Sequence, residues 1–158
     1  MVEKLHQHKH IHRDEERIMT DIWDGMIWRK FMCTRQPNNP LFMSLEGSLG
    51  FTIYIDCFNA HEKSRRLSSI GPILLVCLNL PTSKRLNPEN VYISAIIPGP
   101  NDPTSSQLNY LLMPLMPELK ELWEEVQFFL TSSGPSGSFI RVAILTAMRK
   151  FTGFISHS

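Results

Sequence analysis

The stretch Pro72 to Leu80, PILLVCLNL, constrains this chain more than any other. A nearly continuous apolar run of this length marks a strand buried on both faces, because a half-exposed strand alternates apolar with polar residues. It predicts a central strand, and a central strand needs neighbours on each side. Three candidates are present. Leu49 to Cys57 holds Phe51-Thr52-Ile53-Tyr54-Ile55, β-branched and aromatic residues that favour a pleated surface. Val91 to Ile97 (VYISAII) is closed by the turn cluster PGPNDP, and Phe139 to Leu145 (FIRVAIL) follows the loop TSSGPSGS. Between these last two the period changes. Leu108, Leu111, Leu112, Leu115, Leu119, Leu122 and Val126 fall at helical spacing, which predicts one long amphipathic helix from Ser105 to about Phe129, kinked at Pro114 and Pro117.

Ahead of the strands, Asp14 to about Phe31 also has helical spacing, with acidic residues crowding its start and Gly25 weakening its middle. Trp23 and Trp28 on it read as core or docking anchors. The turn-rich linker Thr34 to Pro40 ends the element. The order is therefore β-β-β-α-β behind an N-terminal helix, a chain of the α+β or α/β class. Three strands on short loops and a helix crossing to a fourth is the wiring of the RNase H-like fold, and ferredoxin-like and other α+β sheets share the pattern. Three segments are expected: a flexible His-rich tail over residues 1–13, the helix and linker over 14–40, and a domain over 41–158.

A length of 158 residues is about one domain, and 42% hydrophobic with 20% charged residues is ordinary for a packed core. In the tail, His6, His8, His10 and His12 alternate, so an extended strand would set all four on one side. Imidazole suits zinc, copper or nickel, but a tail offers no surrounding groups to orient the rings. Cys33, Cys57 and Cys77 stand far apart with no C-x-x-C pair, so neither a zinc motif nor a disulfide framework is expected, and a reducing compartment is. The start is polar and basic, without the apolar stretch of a signal peptide. The longest apolar run, Ile70 to Leu80, is too short to cross a bilayer. A soluble intracellular protein with no membrane partner is expected.

The net charge of +1 exerts no broad pull on nucleic acid, so any DNA contact must come from local patches. Candidates are Lys63, Arg65 and Arg66 after the first strand, Lys84 and Arg85 after the second, and Arg149 and Lys150 near the end of the fourth. They are either phosphate contacts or scattered solubilising charge. Among the acids Asp56 stands out, a carboxylate at the far end of an apolar strand. Such a group either caps a turn or is displayed for chemistry, since strand tips are where sheet enzymes often place catalytic groups. Asp102 sits in the turn Gly99-Pro100-Asn101-Asp102-Pro103, where aspartate before proline is ordinary. Asp21 and Asp24 read as a solvated helix face. So do Glu118, Glu121, Glu124 and Glu125, partly balanced by Lys120.

The segments DIWDG, GFTIYIDCFNA, NLPTSKRLNPEN, IIPGPNDP, LLMPLMPELKELWEEV and RKFTGFISHS follow one another from about Asp21 to Ser158. In this order they resemble the catalytic region of the CACTA (En/Spm-type) transposases of fungi and plants. The resemblance implies an RNase H-like DDE fold, cleavage and joining of DNA with Mg²⁺ or Mn²⁺, a nuclear location, and DNA and other transposase subunits as partners. It makes Asp56 the first acid of the triad and a metal ligand. Phosphodiester chemistry of this kind clamps the attacking and leaving oxygens between two ions about 4 Å apart, which one carboxylate cannot hold. The family's second aspartate follows the fourth strand, in a segment like D-x-P-A before RK-x-x-GF. Here Ala147, Arg149, Lys150, Gly153 and Phe154 match but the aspartate and proline do not appear, as after a small deletion. The third acid and a cysteine-rich segment would follow Ser158. The expectation is a truncated catalytic region, inactive as it stands; the alternative is a non-enzymatic, transposon-derived module that binds DNA or protein in the nucleus.

Overall fold

The computed structural model describes residues 19–34, 37–59, 69–99, 103–128 and 137–150. The histidine tail, Lys63, Arg65, Arg66, Asp102 and the closing segment lie outside these residues. The strands are β1 (Ser48–Asp56), β2 (Phe58–Asn59), β3 (Ser69–Cys77), β4 (Val91–Pro98), β5 (Val126–Phe128) and β6 (Ser138–Lys150). The helices are α1 (Met26–Lys30), α2 (Thr82–Arg85), α3 (Ser105–Leu112) and α4 (Leu115–Trp123), with short 3-10 turns at Ile22–Asp24, Phe42–Ser44 and Pro88–Asn90. The chain is thus a mixed α+β protein. Its four long strands and the helices between the third and fourth keep the expected order.

All six strands join one sheet. β3, the apolar run, lies inside it, antiparallel to β1 on one side and to β4 on the other. β1 pairs on its other edge with β6, in parallel, and the short β2 and β5 extend β3 and β6. The long strands therefore lie side by side as β4-β3-β1-β6. Two bulges interrupt the registers. Ser94 is the extra residue where Ile73 faces Ala95 but Leu74 faces Ile93. Leu145 is the extra residue where Phe51 faces Ile144 but Thr52 faces Thr146.

Each face of the sheet carries its own core. Against one, α3 lays Leu108, Leu111 and Leu112 on Ile55, Cys57, Ile73 and Ile97. Thr104 caps this helix reciprocally with Gln107, which satisfies donors at its first turn. The second core joins Cys33, Phe42, Met43, Leu78, Ala143 and Leu145, with Trp28, Phe31 and Trp123 packed around them. Phe42 is fully buried there and stacks on Trp123 at 5.1 Å between ring centroids, with Phe31 edge-on to both rings. Gly50 makes this packing possible, because a Cβ on it would meet Leu145 Cδ1 and Trp28 Cζ3. Gly47 stands at φ +72°, and its Cβ would strike the Phe139 carbonyl. Only glycine lets β6 enter beside β1 there, where Arg141 N–H donates to the Gly47 carbonyl.

Asn79, the polar residue that interrupts the apolar run, is buried and tied at both ends of its amide. Its Oδ1 accepts from Gly50 N–H at 2.8 Å and its Nδ2 donates to the Ser48 carbonyl at 3.1 Å. Buried amides are tolerated on this condition.

Three expectations need correction. The single helix from Ser105 to Phe129 is two, broken at Met113–Pro114, because proline lacks the N–H that would continue the first helix. Pro117 causes no kink, since it lies in the first turn of α4, where its missing donor has no intrahelical acceptor to lose. The helix also stops early: Glu125 takes φ +83°, and Val126–Phe128 is a strand. The fourth strand does not end at Leu145 but runs on to Lys150 beside β1. The N-terminal helix is, within the described residues, a 3-10 turn and the five-residue α1, separated at Gly25 in an extended conformation.

Candidate functional site at the tip of the central strand

Asp56 is the last residue of β1, half-buried at the strand's C-terminal tip. Alternation along β1 sends Ile53, Ile55 and Cys57 to the α3 core. Tyr54 and Asp56 therefore belong to the opposite face, the one that holds Gly50 against Trp28 further along the strand. Directly across from Tyr54 are Met148 on β6 and Leu74 on β3, and across from Leu74 is Ile93 on β4. These four form an apolar rung across the sheet, with Met148 52% and Ile93 58% exposed. Asp56 stands one step beyond that rung, and opposite it on β6 is Lys150.

Among the described residues, the donors near Asp56 do not make up a Mg²⁺ or Mn²⁺ centre. Mg²⁺ wants hard oxygens in near-octahedral array. The adjoining β6 position is a lysine, and Cys57, a soft thiol, belongs to the other face against Gly71. Among the described residues no three His, Cys, Asp or Glu side chains gather in a way that would hold a metal ion.

The other acids are committed elsewhere, and two of the solvated-face readings are corrected. Asp21 is fixed by Arg85 in a two-pronged ion pair, Nη1 to Oδ1 at 2.7 Å and Nη2 to Oδ2 at 2.9 Å, and also accepts from the Thr82 hydroxyl and Ile22 N–H. Burial works against its charge, but the bonds from Arg85, Thr82 and Ile22 outweigh it and hold the carboxyl below its usual range. Glu125 pairs with Arg141, which also donates to the Glu46 carbonyl. Asp24 accepts from the Thr20 and Asp21 N–H groups and the Thr20 hydroxyl, which lower its pKa, with Arg29 3.7 Å away. Glu118, Glu121 and Glu124 are exposed along and just after α4.

The basic candidates divide in the same way. Arg85 is bonded within the fold. Besides Asp21 it donates to the Leu80 and Leu78 carbonyls at 3.1 and 3.0 Å and lies over the Trp23 ring at 5.5 Å. Four of its five N–H groups are used inside the fold. Trp23 Nε1 donates to the same Leu78 carbonyl at 2.7 Å, so the two residues lock the N-terminal segment onto the end of β3. No sequence signal pointed to the pairing of Arg85 with Asp21, which lie 64 positions apart. Lys84 next to it is exposed. Arg149 faces Ile55, on the α3 side, and donates to the Pro103 carbonyl at 2.8 Å just before that helix. Of the candidates, Asp56, Arg149 and Lys150 share the strand tip in the pairing register, with Arg149 on the opposite face from Asp56, while Lys84 and Arg85 follow the other end of β3.

Among the described residues no helix is long and apolar enough to cross a membrane. No curated protein and no solved structure matches the chain. A family model does, the transposase family tnp2, over residues 16–158. With that match covering nearly the whole sequence, the chain belongs to the tnp2 family of transposases.

Proposed function

We propose that this chain is the catalytic region of a CACTA-type transposase of the kind found in fungi and plants, RNase H-like in fold, which contacts DNA in the nucleus without cutting it. The observation that carries the reading is the position of Asp56. It ends a central strand flanked by an antiparallel β3 and a parallel β6, in the side-by-side order β4-β3-β1-β6. That order supports the RNase H-like assignment, and an acid at that tip supports the role of Asp56 as the first of the triad.

The inactivity follows from counting ligands. In-line phosphoryl transfer relies on positioning and charge stabilisation by bound ions, and two ions need several carboxylates between them. Asp56 supplies one. Contact with DNA would then rest on Lys63, Arg65, Arg66, Lys84, Arg149 and Lys150, with Arg85 released from that role by its bonds to Asp21.

The test is nicking of supercoiled DNA by the purified protein in Mg²⁺ or Mn²⁺, wild type against Asp56→Ala. No nicking by either is expected. Metal-dependent nicking that vanishes in Asp56→Ala overturns the inactive reading. The second reading, a non-enzymatic module of transposon origin, draws on the same shortage of carboxylates. Flanking genomic DNA separates the two: an adjoining frame with the missing acids between inverted repeats favours the transposase, and its absence favours the module.

A further inference from the structure

The two long outer strands, β4 and β6, are unlike each other. The outer edge of β6 is partly covered by β5, and the strand carries Arg141, Arg149 and Lys150. Charge of this kind is a common guard on a sheet edge. β4 reads Val-Tyr-Ile-Ser-Ala-Ile-Ile-Pro, eight residues without a charge, and its one proline stands at the very end. Among the described residues it pairs with β3 and with no other strand, so its outward N–H and C=O groups meet no strand partner there.

The bulge at Ser94 adds an apolar surface to this edge. Ile93 faces Leu74 and Ile96 faces Pro72, and those two β3 residues, two positions apart, point the same way. Ile93 and Ile96 therefore share the face opposite α3, although residues three apart in a regular strand point to opposite faces. They are 58% and 61% exposed, while Ala95 and Ile97 turn to the α3 core. The pair continues the apolar rung of Leu74, Tyr54 and Met148 out to the rim of the sheet.

Whatever covers this rim must bring a strand edge and apolar side chains. A strand without charge offers nothing to a phosphate backbone or to a charged peptide. A second copy of the chain brings both requirements, and a net charge of +1 leaves little repulsion between copies. We propose that β4 is a homodimer edge. Two β4 strands pair antiparallel about a two-fold axis perpendicular to the sheet, which joins the two sheets into one. The axis keeps like faces together, so Ile93 and Ile96 of both copies meet on one side of the seam. The proposal uses neither Asp56 nor a metal, and holds whether or not the chain cuts DNA.

Sedimentation velocity over a dilution series, with hydrogen exchange at each concentration, tests it on the full chain without DNA. The proteins are wild type, Ile93→Lys, Ile96→Lys, and Tyr110→Lys as a control at an exposed position on α3. An edge seam of this size should give a dimer with Kd on the order of 1–100 μM. Each isoleucine variant should weaken it at least about tenfold, and Tyr110→Lys should leave it unchanged. Amides within Val91–Ile97 should exchange more slowly as the dimer forms. Wild type that stays monomeric at about 1 mM overturns the proposal, and so does a dimer whose β4 amides gain no protection. Both readings come from wild type and stand even if a variant fails to fold. A dimer that survives in folded Ile93→Lys and Ile96→Lys, or that Tyr110→Lys disrupts equally, also overturns it. A monomer whose β4 amides are protected only when duplex DNA is added overturns it in favour of nucleic acid at this edge.

Discussion

Replacing Arg85 with alanine should be among the more damaging changes at this protein's surface, and its cost can be worked from the bonds it makes. The substitution removes two charge-assisted bonds to Asp21, two bonds to the Leu78 and Leu80 carbonyls, and a cation over Trp23. The Leu78 carbonyl keeps its bond from Trp23 Nε1, so the principal loss is the partner of Asp21. Exposed pairs contribute about 0–1 kcal/mol, and breaking a fully buried one costs about 3–5 kcal/mol. With side chains 12% and 14% exposed the pair lies between these limits. Solvent still reaches Asp21, so we expect about 2–3 kcal/mol, which for a domain of this size lowers Tm by roughly 5–10 °C. Thermal melts followed by circular dichroism and by tryptophan fluorescence measure it. The difference should also depend on pH. The folded pKa of Asp21 is below its unfolded value of about 3.9, so the ion pair stabilises fully above that value and is lost as pH falls through the lower, folded one. The gap between wild type and Arg85→Ala should therefore narrow in acid. A Tm change under about 1 °C, or a gap that widens in acid, would refute the reasoning.

Phe42→Ala should cost about 3–5 kcal/mol, since the ring is fully buried against Phe31 and Trp123, and urea titration would read it as a lower midpoint at unchanged slope. Asn79→Ala should cost about 2–3 kcal/mol by stranding the Gly50 N–H and the Ser48 carbonyl, with faster hydrogen exchange at Gly50 as its signature. DNA binding, measured by fluorescence anisotropy, should be weak, indifferent to sequence and steeply reduced by salt, and charge reversal at Lys63, Arg65 and Arg66 should lower it further. Tight sequence-specific binding at physiological salt would contradict that expectation.

The four long strands were legible because each holds an apolar run bounded by turn residues, and their order followed from counting them. What joins them was not, because pairing depends on contacts between distant segments. Residues 146–150 read Thr-Ala-Met-Arg-Lys, with no period of two, and become strand only because β1 offers an edge beside them. Pro114 and Pro117 look alike in the sequence, yet their effects depend on position relative to a helix start, which only the fold defines. At the candidate site, Asp56 announced itself as an acid ending an apolar strand. Its neighbour did not, because the bulge at Leu145, in a distant segment of the chain, puts Lys150 and not Arg149 opposite it. Arg85 looked like a DNA contact for the same reason: its partner, Asp21, lies in another segment.

The parallel pairing of β1 with β6 has a consequence for how the chain acquires its fold. β1, β3 and β4 meet through the loops that directly connect them, whereas β6 must return from the far end of the sequence to reach the same β1. Closure entropy grows with loop length, by about 0.6 kcal/mol for each doubling, so the antiparallel meander should condense first and capture β6 last. On a ribosome the order is imposed outright, since β1 emerges long before β6 exists. For that interval the inner edge of the central strand is unpaired, and Thr52 to Asp56 display open hydrogen-bonding groups beside apolar side chains. A nascent chain of this design is most exposed to association along an edge that the finished protein covers with a neighbouring strand.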